Sequence, residues 1–180
     1  MTDFKADIES KAKSSTVRFS VVEFSTRAKI ASTLSTNLPQ TIDDTEDIVY
    51  DGGWTNTQQA IAQCNQTLDS AIITPGGNPL RYILLFTDGT PTTYGPTATG
   101  FDCGSESPTD ICFTEATKAA NDAKSGGIKI ITIAVRDSSL NLGFLFSLNS
   151  TNLGFKVESF EEADKVIDAV LDQIDIPCPP

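Results

Sequence analysis

The sequence predicts a single α/β domain of three layers, in which helices cover both faces of a doubly wound, mainly parallel sheet. Tyr82–Phe86 is an unbroken apolar run of strand length, and Ile128–Val135 is a nearly continuous one. Such runs are typical of strands that are buried on both faces. Segments with helical periodicity lie between the predicted strands. A chain of 180 residues is long enough to bury about 70% of its unfolded surface in one core.

The first part of the chain is predicted to form a helix, a hairpin and a second helix. Thr2–Lys13 has apolar residues four positions apart and charges elsewhere, a pattern that indicates an amphipathic helix. Val17–Phe24 and Ala28–Leu34 are the two arms of a predicted β-hairpin. The second arm is polar, which favours the edge of a sheet. A short helix is expected between Asn37 and Tyr50.

A loop and a long helix precede the strand Tyr82–Phe86, which the sequence predicts to be central in the sheet. The loop is Gly52–Thr57, and its last residues suit the N-cap of a helix. Apolar residues at helical spacing follow, among them Ile61 and Leu68. Thr74–Pro79 contains the glycines and prolines of a turn.

The second half of the chain continues the alternation of helices and strands. Thr90–Asp110 is a long loop, and a loop of that length in a compact domain indicates function or disorder. A helix over Phe113–Lys124 is expected next, ended by two glycines, and the strand Ile128–Val135 follows it. The expected elements after that strand are a helix over Leu140–Leu148 and an edge strand at Phe155–Val157. The last helix is expected over Ser159–Ile174, where Ser159 and Glu162 have the spacing of a capping box. We therefore place the domain at residues 1–176 and a proline-rich tail or linker at 177–180.

Composition excludes several classes of function. The net charge is −11 and the chain contains no histidine. An acidic chain without basic patches is not expected to bind nucleic acid or an anionic membrane surface. Direct membrane insertion is not expected either, because no stretch is long and apolar enough to span a bilayer. Without histidine, Ser-His-Asp and Cys-His catalysis are ruled out.

Phosphatase and nucleotide-binding motifs are also incomplete. The stretch from Phe86 to Thr90 is similar to the DxDGT motif of haloacid-dehalogenase-type phosphatases, but Phe86 stands where that family has its nucleophilic aspartate. The glycine pairs match neither a Walker A loop nor GxGxxG. We therefore expect that the protein is not an enzyme.

The cysteines and two glycosylation sequons favour an extracellular setting. Cys103 and Cys112 flank a short loop that a disulfide can close, and Cys64 and Cys178 would then form a second pair. Four cysteines allow three pairings, however, and four free thiols in a cytoplasmic protein are the alternative. The sequons begin at Asn65 and Asn149. No signal peptide is evident, so a secreted protein of this sequence would be part of a longer chain.

Two polar segments are expected at one edge of the sheet. Ligands of open α/β sheets bind beyond the carboxyl ends of the strands. Thr87-Asp88-Gly89 follows the strand Tyr82–Phe86 directly, and the loop Gly52–Thr57 precedes a helix. A carboxylate followed by a glycine that permits a sharp turn suits a site for a hard cation.

The residues at these positions resemble the von Willebrand factor A-type domain. The matching segments are VRFSVVEFST, GGWTNT at the start of a helix, ILLFTDG and IKIITIAV, and they occur in the family's order over nearly the whole chain. The resemblance implies the Rossmann-like fold of that family and a metal-ion-dependent adhesion site (MIDAS). Thr55 and Asp88 match its threonine and aspartate ligands.

The same resemblance implies how the site would work. Mg²⁺, or Ca²⁺ or Mn²⁺, would be held by these two side chains and water, and an acidic group of a partner would complete the coordination shell. We expect the surrounding rim to bind the partner through Trp54, Asn56, Thr87, Gly89 and Thr90.

One departure from the family pattern weakens this site. The family has a DxSxS motif after a central first strand, and this sequence contains neither that motif nor that strand. Three explanations are open. The chain is N-terminally truncated, or the strands beginning at Val17 and Tyr82 pair directly and leave a degenerate site, or a second chain or an upstream segment supplies the missing strand.

The sequence therefore favours a secreted, disulfide-bonded glycoprotein of the cell-adhesion or extracellular-matrix type. It would bind a protein or glycan partner through a divalent cation that is weakly held or absent in this chain. The alternative is a structural or scaffolding domain, possibly cytoplasmic in location, that makes cation-independent protein contacts.

Overall fold

A computed structural model describes residues 17–49, 52–70, 79–96, 101–103, 110–135 and 140–159, together with positions 162, 166 and 169. Three strands, β3 (Arg81–Thr87), β6 (Ile128–Val135) and β7 (Gly154–Val157), form a parallel sheet in the order β3-β6-β7. Two strands, β1 (Phe19–Phe24) and β2 (Ala28–Ser35), form an antiparallel hairpin. The predicted α/β class with a mainly parallel sheet is thus confirmed.

Strand β6, rather than β3, is the central strand of the parallel sheet. Parallel neighbours flank β6 on both sides, and all of its residues except Lys129 are buried. Strand β3 pairs only with β6 among the described residues, and its alternate residues, such as Leu84, are only half-buried. In the described part of the chain, β3 is therefore an edge strand and not the predicted central one, although apolar residues pack against both of its faces. An unbroken apolar run shows that a strand avoids water but does not show how many strands flank it.

Helices cover one face of this sheet through a single apolar cluster. The helices are α2 (Thr57–Ser70), α3 (Ile111–Ser125) and α4 (Leu142–Leu148). Burial of each large apolar side chain contributes roughly 1.5–3 kcal/mol, so this cluster is the main source of stability. Its members include Ile61, Ile83, Leu85, Phe113, Ala116, Ala120, Ile128, Ile130, Phe144, Leu145 and Leu148.

The opposite face of the sheet carries a second, smaller cluster. Ile131 and Ile133 of β6 lie there with Val157 of β7, and Val166 of the C-terminal segment packs against them. Apolar residues therefore cover both faces of β6, as a three-layer arrangement requires. Among the described residues, no helix is long and apolar enough to cross a membrane.

The hairpin β1–β2 forms a separate two-stranded sheet. Its register is irregular near Val21, and the strands join at the turn Ser25–Arg27. A short helix, α1 (Leu38–Glu46), follows β2 and packs on the hairpin. Both arms and the short helix agree with the prediction from sequence. No hydrogen bonds pair β1 with β3 in the described part of the chain, so the hypothesis that these strands pair directly is wrong.

The remaining elements differ from the predictions only in detail. The long loop contains a two-stranded hairpin of β4 (Thr93–Tyr94) and β5 (Phe101–Asp102). In the predicted capping box, the Glu162 carboxylate accepts a hydrogen bond from the backbone N–H of Glu158 at 3.1 Å, one residue earlier than expected. The helix at residues 2–13, most of the helix at 159–174 and the tail at 177–180 lie outside the described residues.

Candidate metal and ligand-binding site

The loop before α2 meets the turn after β3 at Thr55 and Gly89. A Cβ atom placed on Gly89 would lie 2.7 Å from the Thr55 Oγ1 atom, so only glycine allows the two segments to approach this closely. Asp88, the residue before Gly89, is exposed. The structure therefore brings the Thr55 hydroxyl next to the turn that carries the Asp88 carboxylate.

Backbone hydrogen bonds fix Thr55 in this position. Its N–H donates to Thr92 Oγ1 at 2.8 Å, and its carbonyl accepts from the N–H groups of Thr92 and Thr93 at 3.0 and 3.4 Å. The segment before β4 is thus a support for the site loop. Because both backbone groups of Thr55 are engaged, the loop presents the side-chain hydroxyl in a defined place.

Asn56 joins three loops through a fully buried side chain. Its Nδ2 donates to the carbonyls of Thr26 and Gly95 at 3.0 Å each, and its Oδ1 accepts from the Gln59 N–H at 3.0 Å. The last bond caps the first turn of α2. All three of these hydrogen bonds are made to neighbouring backbone groups. Asn56 therefore holds the loops of the site together and does not face a ligand.

Two glutamines at the start of α2 extend this network. The Gln59 Oε1 accepts from the N–H of Ala28 at 2.8 Å, and the Gln58 Oε1 accepts from the N–H of Gly95 at 3.1 Å. Neither glutamine was among the site residues predicted from the sequence. The sequence feature that could have identified them is the polar run from Asn56 to Gln59 at the start of an otherwise amphipathic helix. Such a run has no role in the apolar core, so it indicates hydrogen bonds to neighbouring loops.

The same loop is also tied to the turn of the β1–β2 hairpin. The Asn56 N–H donates to the Ser25 carbonyl at 2.9 Å, and the Trp54 N–H donates to Thr26 Oγ1 at 3.2 Å. Gly53 has a φ of +100°, and a Cβ atom there would collide with Thr26 Oγ1. The glycine is therefore required both for the backbone conformation and for space.

Asp88 and Thr55 carry side-chain oxygens of the kind that Mg²⁺ and Ca²⁺ prefer as ligands. Mg²⁺ commonly keeps several waters and takes one or two carboxylates, so this donor set fits part of an octahedral shell. The group of Cys103, Asp110 and Cys112 is the cluster of potential metal ligands in the described part of the chain. It is not available to a metal in this form, because the two cysteines are joined in a disulfide.

The rim around Thr55 is less exposed than predicted from the sequence. Trp54 is 52% exposed and can contact a partner. The structure differs from the prediction for Asn56, Thr87 and Thr90, which are all buried. The Thr87 hydroxyl accepts from the N–H of Gly89 at 3.2 Å and bonds its carbonyl at 3.1 Å, so this side chain closes the turn instead of facing solvent.

A disulfide joins Cys103 to Cys112 beside this site, with the two Cα atoms 5.7 Å apart. The Cys103 N–H donates to the Thr92 carbonyl at 3.4 Å, and Thr92 in turn holds Thr55. Cys64 was suggested to pair with Cys178, but the structure shows Cys64 with a free thiol. Burial on α2 raises the pKa of the Cys64 thiol to about 11. Cys178 lies outside the described residues.

Neither glycosylation candidate has the exposed loop setting that is typical of N-linked sites. Asn65 lies inside α2, and its Oδ1 is buried without a hydrogen-bond partner among the described residues. Asn149 ends α4, and its Nδ2 is packed so closely on Gly154 that a Cβ atom there would lie 2.5 Å away.

These features define a doubly wound α/β domain with a loop-built site at the carboxyl edge of its sheet. The family model of the von Willebrand factor type A domain matches residues 2–169. The chain belongs to this family, as its resemblance in sequence predicted.

Solved structures of low sequence identity share the fold. The vWF domain of the type V pili tip protein Mfa5 from Porphyromonas gingivalis is 12% identical, with a TM-score of 0.75 over 99% of this chain and 88% of that one. Proximal thread matrix protein 1 from the mussel byssus is 22% identical, with a TM-score of 0.67 over 96% of this chain. One structure of that protein is described with a zinc-occupied MIDAS motif.

The pilus adhesin SpaC from Lactobacillus rhamnosus GG, in an open conformation, is 16% identical, with a TM-score of 0.69 over 95% of this chain and 26% of that one. The chain spans about two fifths of the length of the mussel protein, at 40%. No curated protein matches the sequence.

Proposed function

We propose that this domain is a non-catalytic adhesion module that binds a protein or glycan partner through a divalent cation. The observation that carries the proposal is the approach of the Thr55 hydroxyl to Gly89, beside the exposed Asp88 carboxylate. Asp88 and Thr55 would hold Mg²⁺, or Ca²⁺ or Mn²⁺, with water completing the shell. An acidic group on the partner would displace one water and bind the cation directly.

Membership of the von Willebrand factor A family and two of the similar structures support this proposal. One of those proteins is named as a pilus adhesin and another is described with an occupied MIDAS motif. The exposed indole of Trp54 lies one residue from Thr55, where it offers an aromatic face to a peptide or a sugar ring. The disulfide between Cys103 and Cys112 is typical of a secreted or cell-surface protein.

Thermal unfolding in Mg²⁺ and in EDTA tests the cation site directly. A cation present at about 100 times its dissociation constant stabilises the folded chain by about 2.7 kcal/mol. For a domain of this size, that raises the unfolding midpoint by roughly 5–10 °C. We expect this shift in the native chain and its loss in Asp88→Ala and Thr55→Ala.

Asp43→Ala is the matched control, because Asp43 is an exposed carboxylate on α1, away from the site. It should keep the full Mg²⁺ shift. A shift that survives in Asp88→Ala would reject the assignment of the cation to this edge of the sheet.

The second candidate is a scaffolding domain whose partner contacts are independent of cations. It is favoured by the small donor set, since Asp88 and Thr55 are only two protein ligands for six positions. In that case Mg²⁺ and EDTA give the same unfolding midpoint. Partner binding would then depend on Trp54→Ala and not on Asp88→Ala.

A further inference from the structure

Three potential metal ligands meet between the end of β5 and the start of α3, and none of them belongs to the candidate cation site. One ligand atom each from Cys103, Asp110 and Cys112 lies within 4.8 Å of the other two. The two cysteines are separated by 9 positions in the sequence, which is wider than the short spacing that is typical of zinc-binding cysteine pairs. The sequence spacing therefore does not reveal a cluster that the fold brings together.

Asp110 is held beside the two sulfurs because it is the N-cap of α3. Its Oδ1 accepts a hydrogen bond from the Cys112 N–H at 3.0 Å, and its backbone carbonyl accepts from the Thr114 N–H at 3.1 Å. The residue is 8% exposed. An ionised carboxylate has two oxygens with about four acceptor positions, so it can cap the helix and bind a cation at the same time.

The oxidation state of the two cysteines decides whether this cluster can bind a metal. Both residues are thiols when the chain is synthesised, and a dithiol reductant regenerates the thiols from the disulfide. Cys103 is half-buried and Cys112 is fully buried. The thiolate of the reductant therefore attacks the Cys103 sulfur, and Cys112 leaves as a thiolate. The N-terminus of α3 stabilises this leaving group, because Cys112 lies in the first turn of the helix.

The dithiol supplies all the electrons and protons of this reduction. Its first sulfur forms a mixed disulfide with Cys103, and its second sulfur then displaces Cys103 and closes the disulfide of the reductant. The two cysteine sulfurs gain two electrons and two protons in total. A metal ion that binds both cysteines afterwards releases the two thiol protons to solvent.

Two thiolates and one carboxylate form a donor set that suits Zn²⁺. Zinc binds sulfur at about 2.3 Å and oxygen at about 2.0–2.2 Å in tetrahedral geometry, which puts neighbouring donor atoms about 3.5–3.8 Å apart. The three ligand atoms already lie within 4.8 Å of one another, so rotation of the side chains completes the arrangement. Three negative groups in so small a volume also require a cation. Mg²⁺ and Ca²⁺ prefer oxygen ligands and do not compete for the two sulfurs.

We propose that the reduced form of this chain holds one Zn²⁺ ion between Cys103, Cys112 and Asp110, with water in the fourth position. The ion replaces the link that the disulfide makes between the end of β5 and the start of α3. Oxidation by the disulfide of another molecule reverses the step and releases the ion. The proposal does not rest on the cation site at Asp88, because the two sites share no ligand.

The zinc ion would also restore a restraint on the loop that contains Thr55. The Cys103 N–H donates to the Thr92 carbonyl at 3.4 Å, and Thr92 Oγ1 accepts from the Thr55 N–H at 2.8 Å. Reduction without a metal frees Cys103 from α3 and loosens this connection. We therefore expect the Thr55 amide to exchange its hydrogen faster in the reduced, metal-free chain and to regain its slower exchange when Zn²⁺ is added.

The test uses the intact chain, reduced with excess dithiothreitol that is then removed under nitrogen. Co²⁺ serves as a coloured substitute for Zn²⁺, and excess Mg²⁺ is present to occupy sites made of oxygen ligands. We expect one equivalent of Co²⁺ to produce the thiolate-to-cobalt charge-transfer absorption and the intense visible bands of a tetrahedral site. Addition of Zn²⁺ should remove both, and the oxidised chain should show neither.

Substitutions separate metal binding from helix capping. Cys103→Ser and Cys112→Ser should each abolish the tetrahedral dithiolate spectrum. Asp110→Asn keeps a good N-cap residue but removes the negative charge, so the affinity for Zn²⁺, measured by competition with a coloured chelator, should fall at least about tenfold. Cys64→Ala and Cys178→Ala remove the other two thiols and should leave the affinity unchanged.

Four results would overturn these assignments. The first is the absence of the charge-transfer absorption when Co²⁺ is added to the reduced chain, and the second is its full retention in Cys112→Ser. The third is a reduced chain that unfolds, as measured by circular dichroism, and does not refold with Zn²⁺. An unchanged affinity for Zn²⁺ in Asp110→Asn would overturn the assignment of its carboxylate as a ligand.

Discussion

The parallel sheet and the β1–β2 hairpin are held in this domain by different forces. The sheet is stabilised by apolar burial, since β6 is covered on both faces and flanked on both sides. The hairpin is half-exposed along all of β1. Polar groups of the loop before α2 and of its first turn bond the hairpin through Ser25, Thr26 and Ala28.

This difference indicates that the two regions have separate local stabilities. Segments with few buried apolar contacts open at lower free energy than a packed core. The candidate site lies at their junction, because Thr55 and Asn56 belong to the loop that joins them. Changes in the core should therefore affect global unfolding, and changes in the loop should affect the hairpin and the site first.

The largest effect is expected from the core. Phe113 is 1% exposed, and its ring packs edge-on against Phe144 with the centroids 4.2 Å apart. Phe113→Ala should lower the free energy of unfolding by about 3–5 kcal/mol, as measured by urea denaturation. Val22→Ala in β1 is the comparison and should cost roughly 1 kcal/mol or less, because Val22 is already half-exposed. Equal losses would show that the hairpin and the sheet share one core.

An intermediate effect is expected from the junction. Asn56→Ala removes the buried carboxamide that bonds Thr26, Gly95 and Gln59, and we expect a loss of about 2–3 kcal/mol. Hydrogen exchange should show that amides of β1 and β2 lose protection before those of β6. Gln66→Ala, at an exposed position of the same helix, is the control. A uniform loss of protection over the whole chain would contradict a separate hairpin unit.

The smallest effect is expected from Cys64, which packs against the apolar cluster on the sheet side of α2. Its pKa is raised from 9.0 to about 11 by burial. Between these values the unfolded chain loses the thiol proton and the folded chain keeps it, so stability is retained below pH 9 and falls as the pH rises toward 11. The loss should be at most about 2 kcal/mol.

The difference between the native chain and Cys64→Ala isolates this contribution, because both contain the same tyrosines and lysines. The two unfolding free energies should converge or cross between pH 9 and 11. A parallel dependence on pH would show that the thiol is open to water.

Most of the fold is predictable from the sequence because periodicity depends on burial. The strand Ile128–Val135 was predicted with its observed bounds, since its run of apolar residues ends at charged or glycine neighbours. The central position of β6 was not predictable, because an apolar run does not state which strand pairs with which. The hairpin was found from its turn and alternating pattern, but its separation from β3 depends on contacts between distant segments.

The candidate site was predictable only in its outline. The sequence placed Thr55 and Asp88 at one edge of the sheet, and the structure brings Thr55 against Gly89. The burial of Asn56 and Thr87 was not predicted, because a polar side chain at the edge of the sheet can either face a ligand or form hydrogen bonds with neighbouring backbone groups. The choice depends on partners such as Thr26 and Gly95, which are 30 and 39 residues away from Asn56.

The disulfide between Cys103 and Cys112 has a consequence for how this protein is produced. A bacterial cytosol keeps thiols reduced, so chain isolated from it would lack the covalent link next to Thr92, the residue that holds Thr55. Chain exported to an oxidising compartment would retain that link. The two preparations have one sequence but differ in the restraint on the loop that contains Thr55, so binding measurements made on them are comparable only after their thiols have been counted.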